Sequence, residues 1–329
     1  MQNNKMAIIC KKIIAVSLIL CVVFITLAGC SSQSSGNDTT KVMFIPKSQE
    51  LSFWEITIEG FNTAIAEYNA EGEVRSTDNE EDVEGQIAIV RSAIEEGFDA
   101  IVISAISYEE LASVVDEASS AGLEVVVIDS DVNSESVKAR ISTDNYVAGF
   151  LMGEEMASQL GYKGTVATLE FDTETQNGLD RTNGFLDAIA QYPNMNVIRK
   201  EVLSNTYISK LATLDLLYVY PEIEGMVSMN ELITVGLGEG VEESGRTDIC
   251  CIGFDNNAIV VDYIEKGIFH GTIVQNQFAM GYLGAETAIK LVTGEEKNPS
   301  DVDTGATLVT KDNMYDSEIQ SLLFPFDIS

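Results

Sequence analysis

The sequence predicts an α/β protein of two lobes, each a parallel sheet with helices on both faces. Three observations lead there. Short apolar runs alternate with helical patterns along the body of the chain, as strand–helix–strand units require. Several runs, such as VVVI at 125–128, are continuously apolar, as strands covered on both faces must be. The 329 residues suit about two domains of roughly 150 residues each.

The elements follow in order. Residues 42–46 (VMFIP) predict a strand. Ser52-Phe53-Trp54-Glu55 has the form of a capping box, ahead of a helix carrying Ile58, Phe61, Ile65 and Tyr68 at helical spacing. A second helix spans 83–96 and is closed by Gly97. A strand at 100–103, a helix at 108–120 and a strand at 125–128 come next. The beat then runs helix 146–160, strand 165–169, helix 181–191, strand 197–202, helix 209–219 and strand 225–229. It ends with helix 231–244, strand 249–253, helix 258–266, strand 271–274 and helix 280–292. Cys250 and Cys251 are adjacent in an apolar run, so they point to opposite faces of a strand as buried small hydrophobes.

The N-terminus reads as a targeting segment. Lys5, Lys11 and Lys12 precede an apolar run from Ile13 to Leu27, too short for a bilayer-spanning helix. The run ends in Leu27-Ala28-Gly29-Cys30, which resembles the lipobox of bacterial lipoproteins. That resemblance implies a signal peptide at 1–29, removed before Cys30, and lipid on the Cys30 sulfur. Multiple acyl chains anchor stably where one does not. Residues 30–40 then form a lipidated, polar tether (SSQSSGNDTT after the cysteine).

Composition narrows the function. There are 52 acidic residues against 19 basic, a net charge of −33, which argues against nucleic acid as a partner. The single histidine, His270, nearly excludes histidine-based metal sites and a catalytic Ser-His-Asp triad, and reads as a surface residue. Five cysteines are too few for a disulfide scaffold.

Ligands of open parallel sheets bind beyond the carboxyl ends of the strands. The residues following the apolar runs are Lys47, Ser104, Asp129, Glu170, Asn230, Asp255 and Gln275. Any one of them alone reads first as a turn or cap residue. Together they form an array suited to a hydroxyl-rich ligand, because carboxylates accept from neighbouring hydroxyls and amides both donate and accept. The acid run Glu80-Glu81-Asp82 reads as a helix N-terminus favoured by the macrodipole.

A family resemblance now emerges from ordered motifs over about residues 41–310. They are Phe53-Trp54, IVISAI (101–106), VVVIDSD (125–131), TDNYVAG (143–149), QNGLDRTNGF (176–185), Asn230, IGFDNN (252–257) and GTIVQN (271–276). The chain resembles the type I periplasmic binding proteins, in the ribose/galactose branch that feeds sugar ABC importers. The resemblance implies two Rossmann-like lobes joined by three crossings, near 143–145, 275–277 and 305–310. The first lobe is then 41–143 plus 276–305, and the second 144–275 plus 306–329. It also implies ligand contacts from Lys47, Ser104, Asp129, Gln176, Arg181, Asn230, Asp255 and Gln275, with Phe53 and Trp54 covering the apolar face of a sugar ring. Ser130 stands where ribose binders tend to have arginine. Ser204 and Asn205 fall where a second stacking aromatic is often found, with Tyr207 as its substitute. Both departures point away from ribose.

The implied function is a monomeric sugar-binding lipoprotein on the outer side of the cell membrane, serving the permease and ATPase subunits of an ABC importer. It has no catalytic residue and no cofactor. Two other classes share parts of the pattern. One is a sensor of a sugar-like signal or autoinducer that works with a membrane receptor. The other is a carbohydrate-active enzyme using Asp129 and Asp255 as paired carboxylates, but nothing in the sequence points to an acid with a raised pKa.

Overall fold

The computed structural model describes residues 39–49, 51–171 and 175–325. The expected leader at 1–29, the expected lipidation site Cys30 and the expected tether as far as residue 38 lie outside them. The described strands form two six-stranded sheets. The first contains β1 (Lys41–Ile45), β2 (Glu71–Val74), β3 (Ala100–Ile103), β4 (Glu124–Ile128), β5 (Ala139–Ser142) and the short Val302–Asp303 strand. The second contains β6 (Gly164–Phe171), β7 (Met195–Val202), β8 (Ile223–Ser228), β9 (Cys250–Phe254) and β10 (Gly271–Gln275), with a last strand at Ala306–Thr310. With Val302–Asp303 as β11 and Ala306–Thr310 as β12, the spatial orders are β11-β5-β4-β3-β1-β2 and β12-β10-β9-β8-β6-β7. Every pairing is parallel except β10 with β12.

Helices α1 (Ser52–Glu67), α2 (Val83–Glu96) and α3 (Ala112–Ser120) flank the first sheet. Around the second lie α4 (Asn145–Gln159), α5 (Gln176–Ile189), α6 (Thr206–Val219), α7 (Glu231–Ser244) and α8 (Ala258–Lys266). The later helix α9 (Gln277–Thr293) returns to the first lobe and packs on α1 and β4, while α10 (Ser317–Leu323) joins the core of the second.

Alternation along each strand feeds a core on both faces. In β1, Val42 and Phe44 enter one cluster, and Met43 and Ile45 the other. In β9, Cys251 packs in one cluster and Cys250 against the opposite one; both thiols are free.

The chain passes between the lobes after β5, after β10, and between β11 and β12. The first and third passages are tied together. Thr304 N–H donates to the Ser142 carbonyl (2.9 Å), and Asp144 N–H to Asp303 Oδ1 (3.0 Å). At the second, Asn276 Oδ1 caps α9 by accepting from Ala279 N–H (3.1 Å). The passages are short, and the first and third lie side by side, which is a hinge geometry.

Each lobe also contains a helix pair in backbone contact. A Cβ on Gly281 of α9 would lie 1.9 Å from the Thr57 carbonyl oxygen of α1, and one on Gly149 of α4 would lie 2.0 Å from the Arg181 carbonyl oxygen of α5. Gly149→Val therefore forces α4 and α5 apart. A loss of about 3 kcal/mol is expected, at the upper end for overpacking, read as a lower urea midpoint.

The structure departs from expectation at several places, among them the start of α5 at Gln176 rather than 181 and the unexpected helix α10. Helix α3 begins at Ala112 rather than 108, because 108–111 form turns and the Tyr108 carbonyl accepts from Asn133 N–H (2.8 Å). The capping box does not form: Ser52 is already helical, Leu51 is at the N-cap, and no side chain caps the helix. Strands β2, β5, β11 and β12 went unpredicted. β2 (EGEV), β11 and β12 are short or edge strands, and β2 and β5 carry polar or charged residues that break any apolar run. Among the described residues, no helix is long and apolar enough to cross a membrane.

Candidate functional site

The carboxyl ends of the two sheets face each other across a cleft. Lys47 follows β1 and Asp129 follows β4; Asn230 follows β8, Asp255 follows β9, and Gln275 ends β10. All five line one chamber, together with Phe53 and Trp54 of α1 and Arg181 of α5. The chamber is about 50 Å³, room on the order of four waters. It opens onto a mouth of about 960 Å³ bordered by Asp78, Glu80, Glu81 and Glu201.

Asp129 and Asp255 occupy matching turns. The Asp129 N–H donates to the Ile141 carbonyl of the next strand (3.2 Å), and the Asp255 N–H to the Ile273 carbonyl (2.7 Å). Both have left-handed backbones, with φ of 56° and 67°, a conformation that costs a side-chain-bearing residue free energy and concentrates at functional sites. The surroundings hold each carboxylate firmly. Asp129 Oδ2 accepts from Ser104 Oγ (2.9 Å) and Ser130 Oγ (3.0 Å), and lies 3.5 Å from Lys47 Nζ. Asp255 Oδ1 accepts from Gln275 Nε2 (2.7 Å) and Oδ2 from Glu231 N–H (3.2 Å). Burial pushes the Asp255 carboxyl up, partly offset by Arg181 and by the Gln275 hydrogen bond.

Arg181 is 2% exposed. Its Nε donates to Asn145 Oδ1 and its Nη1 to the Met229 carbonyl, both at 2.8 Å, and its guanidinium lies 3.8 Å above the Phe254 ring. Burial opposes its charge, while Asp255, Asp129 and Glu80 favour it. Phe53 and Trp54 meet edge to face at 4.8 Å, and the Trp54 indole N–H donates to Glu80 Oε1 (2.6 Å). Trp54 thus belongs both to the core and to the chamber wall.

Two expected contacts stand elsewhere. Ser104 is fully buried behind Asp129 and does not line the chamber. Gln176 is exposed, donates to Asp180 Oδ1 (2.8 Å) and borders a separate crevice beside the hinge. One helical step further, Asn177 takes the chamber position and reaches Asp129 Oδ1 at 3.5 Å across the lobes. Tyr207 is 65% exposed on α6 and does not supply the second aromatic; Phe171, at the end of β6, lines the chamber instead. Glu170 accepts two hydrogen bonds from Arg199 on β7, outside the chamber. His270 is half-buried and paired with Glu155 at 2.6 Å.

Two chamber carboxylates were not expected as contacts. Asp82 does cap α2, but Glu80 turns to Trp54. Glu231, the first residue of α7, is 6% exposed and accepts from Asn257 Nδ2 (2.9 Å). It also lies 3.4 Å from the Phe53 N–H of the other lobe, one of the α1 amides that no side chain caps within its own lobe. Burial, with Asp255 and Glu80 nearby, pushes its carboxyl up to about 7 from 4.5.

A folded-state value above the unfolded one means that the native protein holds the proton more tightly. Stability is then greatest below about 4.5, falls as pH rises, and levels off above about 7. The Glu231 share of that fall is about 3 kcal/mol. Glu231→Gln should remove it, so that the variant gains on the wild type between pH 5 and pH 8 in urea melts. Parallel profiles at the two pH values would contradict this.

Two lobes, a hinge and a polar, aromatic-walled chamber between them define a receptor for a small polar ligand. A family model described as a periplasmic binding protein domain matches residues 42–296, and the chain belongs to that family, among the type I sugar-binding proteins of ABC transporters, which act outside the cytoplasm. It is 26% identical to the xylitol-binding protein of Mycolicibacterium smegmatis over 88% of this chain and 82% of that one. It is also 26% identical to the D-ribose/D-allose-binding protein of Pseudomonas aeruginosa, over 90% and 96% of the two chains. A carbohydrate transporter solute binding protein from Agrobacterium radiobacter in complex with D-arabinose superposes with a TM-score of 0.83 at 28% identity, covering 87% of this chain and 99% of that one. One from Agrobacterium vitis with bound D-fucose gives 0.82 at 26%, covering 86% and 99%. These relatives are binding proteins, and the chain is not an enzyme.

Proposed function

We propose that the chain is a lipid-anchored receptor that captures one small sugar or polyol and presents it to the permease of an ABC importer. The observation that carries this is the single chamber furnished by both lobes. Lys47, Phe53, Trp54 and Asp129 come from one side, and Asn177, Arg181, Asn230, Asp255 and Gln275 from the other. A ligand that touches both sides stabilises the closed arrangement, since only differential contacts shift a two-state equilibrium. The polar lining with its aromatic wall suits a pentose, a deoxyhexose or a short alditol, in keeping with the xylitol, D-arabinose and D-fucose in the names of its relatives. The direct test is a thermal-shift screen over monosaccharides and alditols, with the hit followed by Trp54 fluorescence and small-angle scattering. Binding should raise the melting temperature, change the emission of the sole tryptophan and shrink the radius of gyration. Tight binding with neither of the last two signals would rule out a closing receptor.

Anchoring rests on the Leu27-Ala28-Gly29-Cys30 pattern. Cys30→Ser should leave the melting temperature of the body unchanged and release the protein from the membrane fraction. An unchanged membrane fraction without a lipid adduct would reject the anchor.

A further inference from the structure

The chamber's charges do not balance. Glu80, Asp129, Glu231 and Asp255 supply four carboxylates against two cations, Lys47 and Arg181. Both cations are already engaged. Lys47 Nζ donates to Ser130 Oγ (2.5 Å) beside Asp129, and Arg181 is held by Asn145 and the Met229 carbonyl while facing Asp255, Asp129 and, more weakly, Glu80. Among the described residues, neither Glu80 nor Glu231 has an ion-pair partner.

The unfilled hydrogen-bonding capacity leans the same way. A carboxylate offers about four acceptor sites. Glu231 receives one good hydrogen bond, from Asn257, and one long one, from Phe53. Glu80 receives the Trp54 indole. Gln275, 1% exposed, gives its Nε2 to Asp255 while its buried Oε1 has no donor at all. The chamber therefore asks for a ligand that donates, and near Glu231 for one that brings positive charge.

We propose that the ligand is a small polyhydroxylated molecule carrying a protonated amine, an amino sugar or aminoalditol, and that Glu231 receives its ammonium group. This rests on the reading of the chain as a sugar receptor. An ammonium has three donors and no acceptor, so it complements Glu231 where a neutral hydroxyl only half does. The other groups around Glu231 reinforce the demand. Asp255 and Glu80 repel its charge, Asn257 and the Phe53 N–H only hydrogen-bond it, and Lys47 and Arg181 are held by other partners. The raised carboxyl of Glu231 adds a signature. An ammonium beside it lowers that value again, so amine binding near pH 7 expels a proton from Glu231.

The probes are D-glucosamine, D-galactosamine and 1-amino-1-deoxy-D-xylitol, each against its neutral parent, with D-ribose and D-arabinose added. Calorimetry at pH 7 is run in two buffers of different ionisation enthalpy. At least one amine should bind about tenfold or more tighter than its parent, the scale of one charge-assisted hydrogen bond. Its apparent enthalpy should depend on the buffer, as proton release requires. Glu231→Gln should erase the preference, bringing amine and parent to within about threefold of each other, and Glu231→Asp should keep part of it. If Glu231→Gln fails to fold, the wild-type preference and the buffer dependence still decide. Neutral sugars that bind while no amine outdoes its parent would overturn the amine assignment and leave the sugar receptor standing. An amine preference that survives Glu231→Gln would overturn the role of Glu231. If no probe, charged or neutral, raises the melting temperature, the amine assignment falls and the sugar receptor reading falls with it.

Discussion

Arg181→Ala is expected to cost about 3–5 kcal/mol of stability at pH 8, the range for removing one partner of a buried charged network, and to abolish ligand binding. The side chain is 2% exposed and does several jobs at once. Its loss strands the Met229 carbonyl and Asn145 Oδ1, opens a space above Phe254, and leaves Asp255 and Asp129 without the charge that favours them. Arg181→Lys keeps a charge but not the planar fork or the stacking, so it should also fall well below wild type. The loss should shrink toward pH 5. Asp255, already pushed up by burial, moves further up without Arg181 and escapes the penalty by taking a proton. Urea melts of Arg181→Ala at pH 5 and pH 8 measure this. Equal losses at both would mean that the side chain acts through packing alone.

The sequence made the architecture legible because its signal is periodic and repeated. Continuous apolar strands between amphipathic helices leave few alternatives, and both lobes obey the same rule. The site was legible to a lesser degree, for a geometric reason. The end of a strand sets how far a residue projects toward the cleft, but not which way its side chain turns. Lys47, Asp129, Asn230, Asp255 and Gln275 turn inward, whereas Ser104 stands behind Asp129 and Glu170 turns to Arg199. Capping and lining are also not exclusive. Asn230 Oδ1 caps α7 through Ile233 N–H (3.0 Å), yet the residue lines the chamber. Glu231 and Glu80 escaped notice because an acid near a helix start has a sufficient local explanation in the macrodipole. Only the tertiary fold places Glu231 opposite the first turn of α1 and Glu80 against Trp54. Gln176 and Asn177 show the same limit at one-residue resolution, because a single step along α5 turns a side chain by about 100°.

Asp255→Ala is expected to lose about 2–4 kcal/mol of ligand binding, on the order of 30- to 1,000-fold, as charge-assisted hydrogen bonds in a dry site do. Two effects overlap in that variant and need separating. The carboxylate is a ligand contact in this reading, and it also accepts from Gln275 Nε2 and Glu231 N–H. In addition, its backbone sits at φ 67°, where alanine is strained by about 1 kcal/mol or more and glycine is not. Asp255→Gly should therefore be more stable than Asp255→Ala while binding no better. Asp129→Ala provides the contrast. Asp129 holds Ser104, Ser130 and Lys47 in one network, so its removal frees a buried lysine and should cost more stability than Asp255→Ala. The loss of affinity should be similar, since the ligand spans both lobes. Calorimetry with the identified ligand and urea melts on all three variants resolve the contributions. Wild-type affinity in both Asp255 variants would show that this residue shapes the turn and does not touch the ligand, and would shift the second lobe's share of recognition to Glu231, Asn230 and Arg181.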